Sequence, residues 1–157
     1  MVKIAFLQNL WFEWLGVMYI SAVLKKEGHD TAMFIGNGDN IVQELKLYNP
    51  DIIIASVMNI QLEWLNETVK ALRKNGFKQP IIVGGPDATY APHNTINIEG
   101  VDAVCVGEGE EPIRDFVEAV INNKSCDNIE NLWVKKSNKV DENGNFIDVI
   151  KNPIRKV

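Results

Sequence analysis

Apolar residues along the chain gather into five short runs: Val2 to Leu7, Thr31 to Ile35, Asp51 to Val57, Pro80 to Val83 and Val101 to Val106. Stretches such as Ile52-Ile53-Ile54-Ala55 do not alternate with polar residues, the pattern of parallel strands covered by helices on both faces. Between these runs the spacing becomes helical. Leu62, Leu65, Val69 and Leu72 make one apolar stripe, and Ile113, Phe116, Val117, Val120 and Ile121 make another, each suited to cover a sheet face. Leu15 to Lys26, ending at Gly28, and Ile41 to Leu47, stopping before Pro50, complete the series, while Pro112 suits a first helical turn. The predicted order is βαβαβαβαβα.

Right-handed crossovers turn that order into an α/β, doubly wound, flavodoxin-like (Rossmann-like) parallel sheet of five strands in the order 2-1-3-4-5. Ligands of such sheets bind at the carboxyl ends of the strands. The distinctive loops fall at that edge: Gln8 to Gly16, Ser56 to Asn59, Gly84 to Thr89 and Gly107 to Glu110. Two are glycine turns, Gly84-Gly85-Pro86 and Gly107-Glu108-Gly109-Glu110, which let a bulky ligand meet bare backbone. Residues 1–122 carry this pattern. From about Asn123 a polar linker leads to Asn131–Lys135 and Phe146–Val149, which flank Asp141-Glu142-Asn143-Gly144 as in a β-hairpin. Residues 123–157 are therefore expected to be a linker and hairpin extension at the sheet edge. The final NPIRKV brings no capping element, so a longer polypeptide with a downstream domain is expected.

Composition narrows the function classes. A chain of 157 residues that is 46% hydrophobic supports one domain with a full core. Its net charge of -5, without a Lys/Arg cluster, argues against nucleic-acid and anionic-membrane partners. The two cysteines, Cys105 and Cys126, have neither metal-ligand spacing nor a disulfide framework, which fits a reducing cytoplasm. The N-terminal MVKIAFLQNLWFEWLG is interrupted by Gln8, Asn9 and Glu13, and lacks a signal-type cleavage site or a span of roughly 20 apolar residues.

Individual residues separate the usual occupants of this fold. A phosphoacceptor receiver needs an acidic pair after the first strand, an Asp ending the third and a Lys ending the fifth. Gln8-Asn9, Ser56 and Gly107 stand there instead. A flavodoxin needs a hydroxyl-rich first loop, where this chain has Leu10-Trp11-Phe12-Glu13-Trp14. A dinucleotide fingerprint needs a glycine-rich first turn, and only Gly16 is present.

Gly28-His29-Asp30, Asn49-Pro50-Asp51, Ser56, Gly84-Gly85-Pro86 with Ala88-Thr89, Val101-Asp102 and Gly107-Glu108-Gly109-Glu110 occur in one order over nearly the whole chain. This set resembles the N-terminal cobalamin (B12)-binding domain of class B radical SAM enzymes. The resemblance implies a corrinoid ring over the carboxyl edge of the sheet, with its nucleotide tail running down beside the first strand. The implied cofactor-binding residues are Leu10, Trp11, Glu13, Gly16, Ser56, Met58, Gly84, Gly85, Pro86, Thr89, Val106, Gly107, Glu108 and Gly109. Ser56 and Thr89 would offer hydroxyls. Trp11, Phe12 and Trp14 fit either a floor under the corrin or plain core, and Met58 either the cavity or the core.

One departure from the wider cobalamin fold is informative. Methionine synthase and the mutases carry D-x-H-x-x-G, whose His ligates cobalt from below; aligned on Gly16, this chain has Trp11 and Glu13 there. Neither His29 nor His93 occupies the ligand position. Radical SAM relatives commonly lack this histidine too, and reduced cobalt(I) favours four-coordination, so the resemblance implies base-off cobalamin with no protein nitrogen on cobalt. Glu108, Glu110 and Glu111 read as residues complementing a helix N-terminus. Asp87 replaces a His common in the family after Gly-Gly-Pro, and Cys105 reads as a small buried residue.

No residue is assigned a catalytic or metal-ligating role. The C-x-x-x-C-x-x-C cluster motif is absent, so an iron-sulfur cluster, S-adenosylmethionine and methyl transfer or a radical rearrangement or cyclisation are implied only for a downstream domain. Two other readings stay open: a standalone corrinoid carrier or sensor, and a degenerate docking module that binds no cofactor.

Overall fold

A computed structural model describes residues 1–156. Strands β1 (Lys3–Gln8), β2 (Asp30–Ile35), β3 (Ile52–Ser56), β4 (Ile81–Gly84) and β5 (Ala103–Cys105) lie side by side in the order 2-1-3-4-5, all parallel. This is the expected flavodoxin-like core. β6 (Leu132–Lys135) and β7 (Val149–Lys151) then extend the same sheet antiparallel beyond β5, giving seven strands where five were expected. The hairpin narrows through a bridge between Val140 and Phe146 to a turn in which Asp141 accepts the Asn143 and Asn145 N–H groups, both at 2.9 Å.

Side chains alternate across the sheet with the period of two that a strand imposes. Ala5, Leu7, Ile53, Ala55, Val83 and Val104 face α2 (Gly38–Tyr48), α3 (Leu62–Lys74), α4 (Pro86–Tyr90) and α5 (Pro92–Ile96). Ile4, Phe6, Ile52, Ile54, Ile82 and Cys105 face α1 (Leu15–Lys26) and α6 (Glu110–Ile121). Helices therefore cover both faces, and the apolar strand runs follow from that. The fourth crossover is two short helices meeting at Ala91, each with proline in its first turn, where the missing N–H costs no bond.

Arg73 of α3 fastens the far end of the sheet. Its guanidinium donates to the carbonyls of Gly100, Phe77 and Gln79 and to the Asp102 carboxylate at 2.6 Å, while Asp102 also accepts the Ile81 N–H at 2.7 Å. That end is closed by hydrogen bonds. The carboxyl end is left open.

Candidate cofactor-binding site

Phe6, Ile54, Ser56, Gly84 and Cys105 come from four neighbouring strands, and they border a cavity of about 120 Å³ at the carboxyl end of the sheet. Gly16, Val17 and Ile20 of α1, the Gly107–Glu110 turn and Ile113 of α6 line its other sides. An engineered apolar cavity of about 150 Å³ admits a benzene ring. This cavity is of that order.

The glycines divide into two kinds. A β-carbon at Gly16 would meet nothing within 4 Å, and one at Gly84 would meet only Cys105 Cβ at 3.9 Å, so side chains there would grow into the cavity. Gly85 is different. Its φ of +99° and the 2.7 Å approach of a β-carbon to Ser56 Oγ and to the Val57 nitrogen make glycine a requirement of the chain's own packing. At Gly109 a β-carbon would stand 2.9 Å from Ile20 Cδ1.

The hydroxyls divide as well. Thr89 Oγ1 donates to the Gly85 carbonyl and accepts the Gly107 N–H, both at 3.1 Å, and so ties the two glycine turns together. Among the described residues, no hydrogen bond engages Ser56 Oγ, which borders the cavity.

Two buried glutamines shape the neighbouring loops. Gln8, at the end of β1, donates through Nε2 to the Leu10 carbonyl and to the Phe12 carbonyl at 2.7 Å. Gln61 accepts the Met58 N–H at 2.8 Å and donates to Asn9, clasping the β3–α3 connection to the β1–α1 loop. Sequence reading used Gln8 to reject a receiver and as a polar break after the first apolar run, and passed over Gln61. A buried amide ending an apolar strand was the signal, because such a group must find hydrogen-bond partners.

This geometry has a counterpart in a known family. The family model described as "B12 binding domain" matches residues 10–117. The chain belongs to the B12-binding domain family. Its cofactor class is therefore cobalamin, as the residue set implied. The cytidylyl-2-hydroxyethylphosphonate methyltransferase of Streptomyces wedmorensis is 27% identical over 150 residues, an alignment covering 80% of this chain and 28% of that protein. Among solved structures, radical S-adenosylmethionine methyltransferase TsrM from Kitasatospora setae, with cobalamin and a [4Fe-4S] cluster bound, matches with a TM-score of 0.80 at 14% identity, over 98% of this chain and 29% of that one. Cobalamin-dependent S-adenosylmethionine radical enzyme OxsB, with aqua-cobalamin and S-adenosylmethionine bound, matches with a TM-score of 0.76 at 18% identity, over 100% of this chain and 23% of that one. The chain thus spans under a third of each of these relatives.

Within this B12-binding domain, seven of the fourteen implied cofactor-binding residues border the cavity: Gly16, Ser56, Gly84, Gly85, Gly107, Glu108 and Gly109. Trp11 and Glu13 instead border a separate, more open hollow of about 390 Å³, with Phe12, Trp14, Met18, Met33 and Ile35. Trp11 is 89% exposed and Phe12 68%, so neither is core, whereas Trp14 packs partly against the α1/α6 side. Leu10, Met58, Pro86, Thr89 and Val106 border neither space: Leu10 is exposed, Pro86 opens α4 and Val106 is buried in the core on the other face of the sheet.

Other expectations resolve similarly. Asp87 is buried and turns inward, accepting from Thr95 Oγ1 at 2.9 Å and from Asn59 Nδ2 at 3.4 Å. His29 sits at the end of α1 away from the loop, and His93 packs edge-on against Trp133 of β6 at 4.8 Å. Cys105 is buried, and burial, then Glu110 and Glu108, pushes its thiol up to about 12, so it is not a thiolate near neutrality. Glu111 pairs with Arg155, which also bonds Asp115 at 2.7 Å and Glu130 at 3.3 Å.

Sequence reading missed the walls of the cavity: Phe6, Val17, Ile20, Ile54, Cys105 and Ile113. Their two-residue and helical periodicities looked like ordinary core. Only the register between strands shows that their upper members border a cavity.

Proposed function

We propose that this domain holds cobalamin base-off, with no histidine on cobalt, as the cofactor-binding part of a radical SAM enzyme of methyl transfer or of radical rearrangement or cyclisation. The observation that carries the reading is the cavity at the carboxyl end, where Gly16 and Gly84 leave room that a side chain would fill and Ser56 offers an unengaged hydroxyl. Bound cobalamin would supply a cobalt centre able to accept and donate a methyl group or one electron. The chain's own part is to bind and orient it. The nucleotide tail would enter the cavity, and the Gly85 and Gly107 turns would border the ring's edge.

The outer surface supports a covering domain. Leu15, Met18 and Tyr19 of α1 are exposed, as are Leu10, Trp11 and Phe12 of the loop before it, Ile60 in the β3–α3 connection and Tyr90 at the end of α4. A helix apolar on more than one face is normally buried on more than one face. In this reading a downstream domain of the same polypeptide covers that surface and encloses the corrin.

Electron paramagnetic resonance of the Co(II) form tests the coordination. The reading expects a base-off spectrum without nitrogen superhyperfine splitting. Splitting from a histidine nitrogen would overturn it.

A further inference from the structure

We propose that Asn131 is a positioning residue that links the cofactor cavity to the segment Asn152–Lys156, so that cobalamin in the cavity and docking of that segment favour one another. The inference rests on the cobalamin reading above and goes beyond it. Asn131 stands just before β6, is 4% exposed, and has a φ of +69°, in the left-handed region that asparagine tolerates. Each of its polar groups is engaged. Toward the cavity, its carbonyl accepts the Val106 N–H at 2.8 Å and its Nδ2 donates to the Glu108 carbonyl at 3.2 Å. Away from the cavity, its N–H donates to the Pro153 carbonyl at 2.9 Å and its Oδ1 accepts the Arg155 N–H at 2.7 Å.

The turn on one side of Asn131 depends on such bonds. Gly107, Glu108 and Gly109 border the cavity, yet the β5–β6 ladder stops at Cys105 and Leu132. On the other side, the Arg155 guanidinium fastens the segment to Glu111 and Asp115 of α6 and to Glu130. A ligand resting on the turn restrains it and so favours the Asn131 bonds. Linkage then requires that docking of the segment favour the ligand by the same factor. A downstream domain of the same polypeptide, as proposed above, would be attached through this segment, and these bonds would carry cofactor occupancy toward it.

The test combines titration with hydroxocobalamin and amide hydrogen exchange resolved at single residues. Asn131→Asp keeps the tolerance for positive φ and the acceptor for the Arg155 N–H, but puts an oxygen where Nδ2 donates to Glu108. Arg155→Met loosens the segment at a part-exposed side chain that does not border the cavity. In wild type, saturating hydroxocobalamin should slow exchange at the Arg155 amide. In Asn131→Asp the affinity should fall roughly five-fold, and the Arg155 amide, still protected, should no longer respond to the cofactor. Arg155→Met should weaken binding by about two-fold or more, and it decides the matter even where Asn131→Asp does not fold. Unchanged affinity in Arg155→Met, a wild-type response at Arg155 in a folded Asn131→Asp, or no response in wild type would overturn the inference and leave the cobalamin reading standing. Failure of wild type to bind hydroxocobalamin would overturn both.

Discussion

The Thr89 hydroxyl accepts the Gly107 N–H at 3.1 Å while donating to the Gly85 carbonyl at the same distance, so one side chain spans the turns that follow β4 and β5. Strand pairing does not join the two turns to each other, because the β4–β5 ladder ends at Val83 and Val104. Removing the hydroxyl should loosen the rim of the cavity. Thr89→Val is expected to lose about 1 kcal/mol of stability in urea denaturation, together with cobalamin affinity, while Thr89→Ser retains both. Equal affinity in wild type and Thr89→Val would show that the link does not position the turns.

The two adjacent glycines should respond differently to the same substitution. Gly84→Val places its side chain in the cavity without backbone conflict, so the fold should be kept within about 1 kcal/mol. Gly85→Val meets Ser56 and Val57 and demands a β-branched residue at φ +99°. It should cost at least about 2 kcal/mol. Thermal denaturation of the two variants side by side checks this, and equal melting temperatures would contradict it.

Acid should weaken the clamp at the start of α6. Asp115 is held below the usual carboxylate range: burial pushes its pKa up, and the hydrogen bonds and charges of Arg155 and Arg114 outweigh that. A carboxyl whose folded pKa is depressed adds stability above its unfolded pKa of about 3.9, and this is lost as pH falls through the folded value. The wild-type advantage over Arg155→Met should therefore shrink below about pH 4. An advantage independent of pH would argue that Arg155 acts through packing alone.

Lys135 predicts a dependence of opposite origin. Burial lowers its ammonium to about 8, against Asp102 and Glu99, which raise it, while Nζ donates to the Ile98 carbonyl at 3.0 Å and sits over the Phe146 ring. The unfolded chain binds the proton more tightly, up to its ordinary pKa of about 10.4. Stability from this group therefore rises with pH between about 8 and about 10.4. Subtracting the profile of Lys135→Met from that of wild type isolates the slope. A flat or falling difference would contradict it.

How far the sequence could be read depended on the kind of signal. Apolar runs such as Ile52–Ala55 and stripes such as Leu62–Leu72 report burial directly, and the five parallel strands and their order follow from them. The hairpin was legible from Asp141–Gly144, but its outer strand runs Val149–Lys151, later than the expected Phe146–Val149. Phe146 instead lies beneath the Lys135 ammonium, a tertiary contact with no local signature. At the site, Gly84 and Ser56 announced themselves by residue type. Ile20 and Ile113 did not, because an isoleucine bordering a cavity and one filling a core look alike until the helices are placed. Gly85 carried a double message: it borders the cavity, and the chain's own packing against Ser56 and Val57 also requires glycine there.

The central claim is that the cavity between β3, β4, α1 and α6 receives part of a cobalamin, and its most direct test is a titration of wild type and Gly84→Val with hydroxocobalamin. Corrin absorbance retained by the protein and the shift in melting temperature are read together. Binding to the native state must raise apparent stability, by about 2.7 kcal/mol at a hundred-fold excess over Kd. The account predicts saturable one-to-one binding and a higher melting temperature for wild type, with both lost in a folded Gly84→Val. Absence of binding by wild type, or equal binding by the two proteins, would contradict it.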